Sequence, residues 1–176
     1  LMTQNVLVTG GTGLLGQDVL TVFFEAGYTV HNISRRPISD PLVNHWKGDL
    51  TDNNFLSSTL RAIDPSIIVH CAAYVDLEYC ELNKDSVDSL HIAATQELAS
   101  YKPTETRFIY ISTDFVYDSE KVYRGKWTPD VYEESKVKPS NNYGWSKLGG
   151  ECVSKLIPNS LILRCSLCDI PFRHKI

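Results

Sequence analysis

Thr9-Gly10-Gly11-Thr12-Gly13-Leu14-Leu15-Gly16 is the stretch that decides the fold of this chain of 176 residues. It directly follows an apolar, β-branched run at residues 5–8 and directly precedes an amphipathic pattern over residues 14–25. In a strand, glycine turn and helix arranged in this order, the backbone N–H groups of the turn and the positive end of the helix can bind a pyrophosphate. The spacing G-x-x-G-x-x-G therefore predicts a dinucleotide-binding turn.

The glycines of this turn have different expected tasks. Gly10 permits the tight turn, Gly13 lets backbone amides approach the pyrophosphate, and Gly16 lets the helix pack closely on the strand. A glycine-rich turn without a ligand is the alternative, and no Gly-Lys-Ser/Thr follows that would make it a mononucleotide P-loop. The residues that we expect to hold the cofactor here are Gly10, Thr12, Gly13, Leu14, Leu15 and Gly16.

Short β-branched runs alternate with amphipathic helical patterns along the rest of the chain. Strands are predicted at residues 5–9, 28–33, 66–71, 107–112 and 160–164, with a weaker one at 42–46. Helices are predicted at residues 14–25, 54–63, 86–100 and 146–156, and residues 118–142 read as a long polar loop beside the site. This order predicts an α/β fold with a doubly wound parallel sheet, as one Rossmann domain over residues 2–176.

Composition narrows the class of partner. The net charge of −4 and the lack of a basic run argue against nucleic acid and against a membrane surface, so we expect a small molecule. No apolar run is long enough to cross a bilayer. The five cysteines read as reduced thiols, which predicts a cytoplasmic location. Cys165 and Cys168 form a C-x-x-C pair without a second pair of ligands, so no metal site is expected.

The second predicted strand ends in Ser34-Arg35-Arg36, where an NAD-binding site has an acidic residue for the ribose hydroxyls. A guanidinium can pair with a 2′-phosphate, whereas a carboxylate would repel it. Ser34, Arg35 and Arg36 therefore favour NADP(H) over NAD(H). A solvated basic loop is the alternative.

Several separated motifs resemble those of the extended short-chain dehydrogenase/reductases, in particular the dTDP-4-dehydrorhamnose reductase-like branch. Beside the glycine turn they are Gly48-Asp49-Leu50-Thr51-Asp52, His70-Cys71-Ala72-Ala73-Tyr74, Ile111-Ser112-Thr113-Asp114-Phe115-Val116-Tyr117 and Asn142-Tyr143-Gly144-Trp145-Ser146-Lys147-Leu148-Gly149-Gly150-Glu151. The resemblance implies a nicotinamide cofactor. It further implies that the cofactor is lined by Asp49, Leu50, Cys71, Ala72, Ala73 and Tyr74.

Thr113, Tyr143 and Lys147 are the expected catalytic residues. Tyr-x-x-x-Lys also occurs at Tyr117/Lys121 and Tyr132/Lys136, but only Tyr143 precedes a sustained helical pattern that would place Lys147 on the same face. An ammonium beside the phenol favours phenolate, so Tyr143 can act as acid or base. Lys147 and Tyr143 would also contact the cofactor, and the Thr113 hydroxyl would bind the substrate oxygen.

The motifs imply an NADP(H)-dependent reductase of a 4-keto-6-deoxy nucleotide sugar, or a truncated form with most of the C-terminal substrate lobe absent. Three features depart from the pattern: His91 stands where the superfamily often has an Asn, Leu167 replaces an aromatic residue, and the chain stops at Ile176. One alternative is a non-catalytic subunit resembling the methionine adenosyltransferase β subunit, and another is an NAD-dependent sugar-nucleotide epimerase or dehydratase. Phe115 after Asp114 disfavours a dehydratase. A homodimer is one assembly left open.

Overall fold

The computed structural model describes residues 4–117 and 132–166. Within them, the strands form one sheet in the order β3-β2-β1-β4-β5-β6, and every neighbouring pair is parallel. The strands are β1 (Asn5–Thr9), β2 (Thr29–Ser34), β3 (Asn44–Lys47), β4 (Ile67–His70), β5 (Arg107–Thr113) and β6 (Ser160–Cys165). The strand order reverses between β1 and β4, and at such a reversal α/β sheets open a crevice at their carboxyl ends.

Helices connect these strands on both faces of the sheet. They are α1 (Leu14–Glu25), α2 (Asn53–Ile63), α3 (Leu77–Leu82), α4 (Lys84–Asp88), α5 (Thr95–Ala99) and α6 (Asn142–Lys155), with a π-helical segment at Ser89–Ala94 and a 3₁₀ turn at Asp114–Val116. None of the helices in the described ranges is long and apolar enough to cross a membrane.

Two apolar layers enclose the sheet. Helix α1 buries Leu20 against one face, which comprises Val6, Val8, Val30 and Val69. Helices α2 and α5 cover the other face, where the cluster includes Leu7, Ile33, Leu56, Leu60, Ile68, Leu98, Phe108 and Tyr110. Side chains of successive strand residues point to opposite faces, so strands buried on both sides carry continuous apolar runs. The doubly wound α/β prediction is confirmed.

The start of helix α6 differs from the sequence prediction. Helix α6 begins at Asn142, not at residue 146, because the Asn141 side chain caps it by accepting a hydrogen bond from Gly144 N at 2.8 Å. Tyr143 and Lys147 therefore share one helix. Gly144 and Trp145 are weak helix formers, and their presence explains why the pattern hid this first turn.

Other elements also differ from the prediction. Helix α3 is an additional helix, and the Asp76 side chain caps it by accepting a hydrogen bond from Tyr79 N. The helix predicted at residues 86–100 is interrupted by the π-helical segment around His91, and such segments are common near functional sites. In the polar stretch 118–142, Asn142 belongs to α6 and residues 118–131 lie outside the described part. Leu167, Cys168 and the rest of the C-terminus also lie outside it.

Candidate active site

A cleft of about 1000 Å³ opens at the carboxyl ends of the strands. Every residue that the sequence predicts to bind cofactor or to act in catalysis lines it, from the glycine turn to Lys147. Beyond the predicted set, its walls also contain Ile33, Gly48, Val75, Leu77, Leu90, Ile111, Ser112, Asp114, Phe115, Cys165 and Ser166. The tertiary structure thus gathers residues from separated motifs into one cavity large enough for a dinucleotide.

The glycine turn crosses the floor of this cleft. Gly10 has a φ of 71°, in the left-handed region, and a Cβ there would lie 2.8 Å from the Ala72 backbone. Its N–H donates to Ile33 O at 3.1 Å, which ties the turn to β2. Gly13 caps α1, and no described side chain hydrogen-bonds to this cap. The first amides of α1 are therefore available to an anion, as the motif predicts.

Arg35 and Arg36 lie exposed at the end of β2 and line the cleft. The Arg35 guanidinium stands 5.5 Å from the centroid of the Tyr74 ring and donates to its hydroxyl at 3.4 Å. Asp49, on the same wall, accepts hydrogen bonds from both the N–H and the hydroxyl of Thr51. The cleft thus presents two arginines here, and the guanidinium of Arg35 lies beside an aromatic ring.

Thr113 ends β5 at the opposite end of the cleft. Its hydroxyl accepts a hydrogen bond from Phe115 N at 3.3 Å and donates one to Asp114 Oδ1 at 3.1 Å. The oxygen is held in place as the cap of the following 3₁₀ turn, while its proton points to a side chain on the cleft wall. A substrate oxygen could replace Asp114 as the acceptor without moving the Thr113 backbone.

Lys147 lies beside Thr113 in the cleft wall and is only 3% exposed. Its Nζ donates to Ile111 O at 2.6 Å and stands 4.2 Å from the centroid of the Tyr110 ring. Burial lowers the pKa of Lys147 to about 7, against weaker opposing attraction from neighbouring acidic groups. Tyr143, one turn earlier on α6, packs edge-on against Phe115 with ring centroids 5.5 Å apart.

His91 connects helix α6 to Tyr74 on the wall of the cleft. Its Nε2 accepts from Tyr74 N at 2.8 Å, and its Nδ1 lies 2.8 Å from Ser146 Oγ, which donates to Tyr143 O. Because Nε2 accepts, the ring proton is assigned to Nδ1. Burial and the nearby Lys147 ammonium lower the pKa of His91 to about 3, so the ring is neutral. His91 is a satisfied buried residue, with both nitrogens used in positioning.

Sequence reasoning missed a buried ion pair that lies between α6 and β6, near the predicted catalytic residues. Arg164 of β6 binds Glu151 of α6 through two hydrogen bonds, of 2.8 Å and 2.7 Å, and Glu151 also accepts from Ser112 Oγ at 2.7 Å. A third nitrogen of the guanidinium donates to Tyr117 OH. The signal available in the sequence was an arginine within the apolar run of a predicted strand, where a charge needs a partner.

Two thiols, Cys71 after β4 and Cys165 at the end of β6, also line the cleft. Burial raises the pKa of Cys71 to about 12, which keeps this thiol protonated and unreactive. Cys168, the other half of the C-x-x-C pair, lies outside the described residues.

Comparison with known proteins places the chain in a family. The family model described as the RmlD substrate binding domain matches residues 4–168. A probable low-salt glycan biosynthesis reductase, Agl14 of Haloferax volcanii, is 36% identical over 165 residues, which are 90% of this chain and 52% of that protein. The methionine adenosyltransferase 2 subunit beta of Mus musculus is 31% identical over 85% of this chain and 42% of its own length.

Solved structures give the same grouping. A hypothetical dTDP-4-dehydrorhamnose reductase from Sulfolobus tokodaii superposes with a TM-score of 0.77 at 30% identity, over 92% of this chain and 55% of that one. The dTDP-4-dehydrorhamnose reductase from Bacillus anthracis str. Ames, in complex with NADP, gives a TM-score of 0.73 at 26% identity, over 93% and 54%. The chain thus spans about half the length of the relatives that it matches.

Proposed function

The chain belongs to the RmlD substrate binding domain family, within the extended short-chain dehydrogenase/reductases, and from that membership we propose that it is the cofactor-binding part of an NADP(H)-dependent reductase of a 4-keto-6-deoxy nucleotide sugar. The observation that carries this proposal is one cleft lined by three groups of residues in the order of their strands: the arginines after β2, the glycine turn after β1, and Thr113 of β5 with Tyr143 and Lys147 of α6. The pyrophosphate is in the middle of a nicotinamide dinucleotide, so a cofactor held by the glycine turn would extend its adenosine ribose toward Arg35 and Arg36 and its nicotinamide toward Thr113, Tyr143 and Lys147.

The residues present fit such a cofactor. The Gly13 end of α1 offers backbone amides without a side-chain cap, and Arg35 and Arg36 offer guanidinium groups where a 2′-phosphate would lie. One of the two dTDP-4-dehydrorhamnose reductase structures is a complex with NADP, which supports the choice of NADP(H). When bound, the reduced cofactor would supply a hydride to the ketone carbon.

The side chains at the far end would then handle the proton and the substrate oxygen. Tyr143 would donate its phenolic proton to the ketone oxygen, and the Thr113 hydroxyl would turn from Asp114 to hydrogen-bond the same oxygen. An ammonium carries three N–H donors, and the Ile111 carbonyl accepts one of those of Lys147. The others would hold ribose hydroxyls and favour the phenolate of Tyr143.

A cofactor titration tests this proposal. The parent chain is expected to bind NADPH about tenfold or more tightly than NADH in a fluorescence titration, and the double variant Arg35→Ala with Arg36→Ala to lose that preference. Arg61→Ala, an exposed arginine of α2, is the matched control that should keep it. Equal affinity of the parent for the two cofactors would contradict the role proposed for the arginines.

A non-catalytic regulatory subunit is the second candidate, because methionine adenosyltransferase β subunits are 31% identical to this chain. That role also uses a Rossmann domain, so cofactor binding alone does not distinguish a regulatory subunit from a reductase. Turnover that is lost in Tyr143→Phe would favour the reductase. The cytoplasmic location, the domain bounds 2–176 and a homodimer remain predictions.

A further inference from the structure

Asn32, on β2, is a buried polar side chain that the proposed chemistry does not use. It is completely buried and lines neither of the two cavities near the glycine turn, so a ligand in those cavities does not reach it. A buried amide without partners would be costly. Its hydrogen bonds therefore show what the residue does for its neighbours.

The oxygen of this amide holds the glycine turn. Gly11 N donates to Asn32 Oδ1 at 2.8 Å, and the amide packs against Gly11 where a Cβ would otherwise lie. This contact supplements the bond between Gly10 N and Ile33 O, so the turn is tied to β2 at two successive residues. The acceptor half of Asn32 thus fixes the pyrophosphate turn.

The nitrogen of the same amide holds the arginine loop. Asn32 Nδ2 donates to Ser34 Oγ at 2.9 Å, and the Ser34 hydroxyl in turn donates to Arg36 O at 2.6 Å. The second hydrogen of Nδ2 faces His45 Nδ1 of β3 at 3.1 Å. The Asn32 oxygen thus accepts one hydrogen bond, and both N–H groups of the amide have an acceptor. Only the second lone pair of the oxygen is left without a partner among these bonds.

We propose that Asn32 is a positioning residue that couples the pyrophosphate turn to the Ser34–Arg36 loop, so that one ligand with phosphate groups at both places is recognised as a unit. This inference rests on the proposed NADP(H) site. The oxygen half would set affinity for any dinucleotide, and the nitrogen half would set the additional affinity for a 2′-phosphate. Arg36 lines both the main cleft and the smaller cavity beside the turn. The hydrogen bond from Ser34 to its backbone oxygen would therefore help to orient the Arg36 side chain.

Variants that change one half of the amide separate these two tasks. Asn32→Asp keeps an acceptor for Gly11 but loses the donors to Ser34 and His45. It should leave the NADH dissociation constant within about twofold and raise that of NADPH about tenfold. Ser34→Ala breaks the same branch without adding a charge and should have the same effect. The double variant should be no worse than either single one, because both act on one branch.

Asn32→Ala removes both halves and should weaken NADH and NADPH alike, by about tenfold or more. Hydrogen exchange gives a readout that needs no ligand: the Gly11 amide should exchange faster in Asn32→Ala and stay protected in Asn32→Asp. Asn44→Ala, on β3, is the matched control, since Asn44 Nδ2 donates to Val30 O away from both branches.

The proposal is overturned if Asn32→Asp weakens NADH as much as NADPH, if it leaves NADPH affinity unchanged, or if the effects of Asn32→Asp and Ser34→Ala add. These results can be distinguished from results that contradict the proposed NADP(H) preference. A parent that binds NADPH and NADH equally contradicts the NADP(H) preference alone, and Asn32→Ala is then still expected to weaken NADH and to expose the Gly11 amide. A parent that binds neither dinucleotide contradicts both.

Discussion

The Glu151 carboxylate and the Arg164 guanidinium face each other edge to edge, with Nε–Oε1 at 2.8 Å and Nη2–Oε2 at 2.7 Å, and the Glu151 side chain is fully buried. The hydrogen bond from Arg164 and that from Ser112 hold the pKa of Glu151 below its usual range despite burial. The pair joins α6 to β6 one turn after Lys147, and Ser112 joins it to β5 directly before Thr113. It therefore fixes the two elements that carry the residues proposed to be catalytic.

Removal of one charge from this pair should be costly. We expect Glu151→Gln to lower the free energy of unfolding by about 3–5 kcal/mol in urea titrations, because the Arg164 charge stays buried without its partner. Replacement of both partners by apolar residues, Glu151→Leu with Arg164→Met, should recover much of the loss.

An exposed ion pair provides the control for that experiment. Asp64 and Lys102 lie as close, at 2.6 Å, but their side chains are 59% and 43% exposed. Asp64→Asn should change stability far less than Glu151→Gln, since water screens an exposed pair. Similar losses in both variants would show that burial does not decide the strength of the pair.

His91 should make the fold sensitive to acid. The unfolded chain binds a proton on this ring near pH 6.5, whereas burial delays binding in the folded protein to about pH 3. The free energy of unfolding should therefore fall as the pH decreases through this interval. His91→Gln, whose amide can replace both hydrogen bonds, should flatten that fall in urea titrations from pH 7 to 4. His70, whose pKa burial also lowers, remains in both proteins. If the unfolding free energies of the parent and of His91→Gln fall in parallel with decreasing pH, the lowered pKa of His91 is contradicted.

Lys147 should leave a signature of the same sign at alkaline pH. Its pKa is about 7 in the folded protein against an ordinary value of 10.5, so between these values the unfolded chain binds more protons and stability rises with pH. The stability of Lys147→Met relative to the parent should decrease steadily as the pH rises from 7 to 10. Lys155→Met, at the exposed end of α6, should show a constant difference. A constant difference for Lys147→Met as well would refute the depressed pKa.

Tyr143 should be essential for turnover but not for cofactor binding. In the full-length protein, assayed with a 4-keto nucleotide sugar and NADPH, Tyr143→Phe is expected to lower kcat about 10²–10⁴-fold because the proton donor is lost, while the NADPH dissociation constant changes little. Tyr132→Phe is the matched control, since Tyr132 also precedes a lysine by four residues but is 61% exposed and outside any helix. Equal turnover of parent and Tyr143→Phe would contradict the role of Tyr143 as proton donor, and a parent that binds NADPH without turnover would favour the regulatory subunit.

Many of the residues that line the cleft could be predicted from the sequence because their motifs are local. A glycine turn between a strand and a helix, or a tyrosine and a lysine four apart on a helix, is specified by neighbours along the chain. The limits of the sequence appear at helix ends. The first turn of α6, capped by Asn141, was not predicted because Gly144 and Trp145 obscured the helical pattern, and the π-helical segment around His91 gave no signal of its own.

By itself the sequence determined the alternation of strands and helices, the parallel sheet and the list of residues at its carboxyl edge, because period and turn chemistry are properties of short segments. Only the tertiary structure decided what Asn32, His91 and Glu151 do. Their partners Gly11, Tyr74, Ser146, Ser112 and Arg164 lie 13 to 55 positions away along the chain. A buried polar group must find partners wherever the fold places them, and no local pattern records that choice.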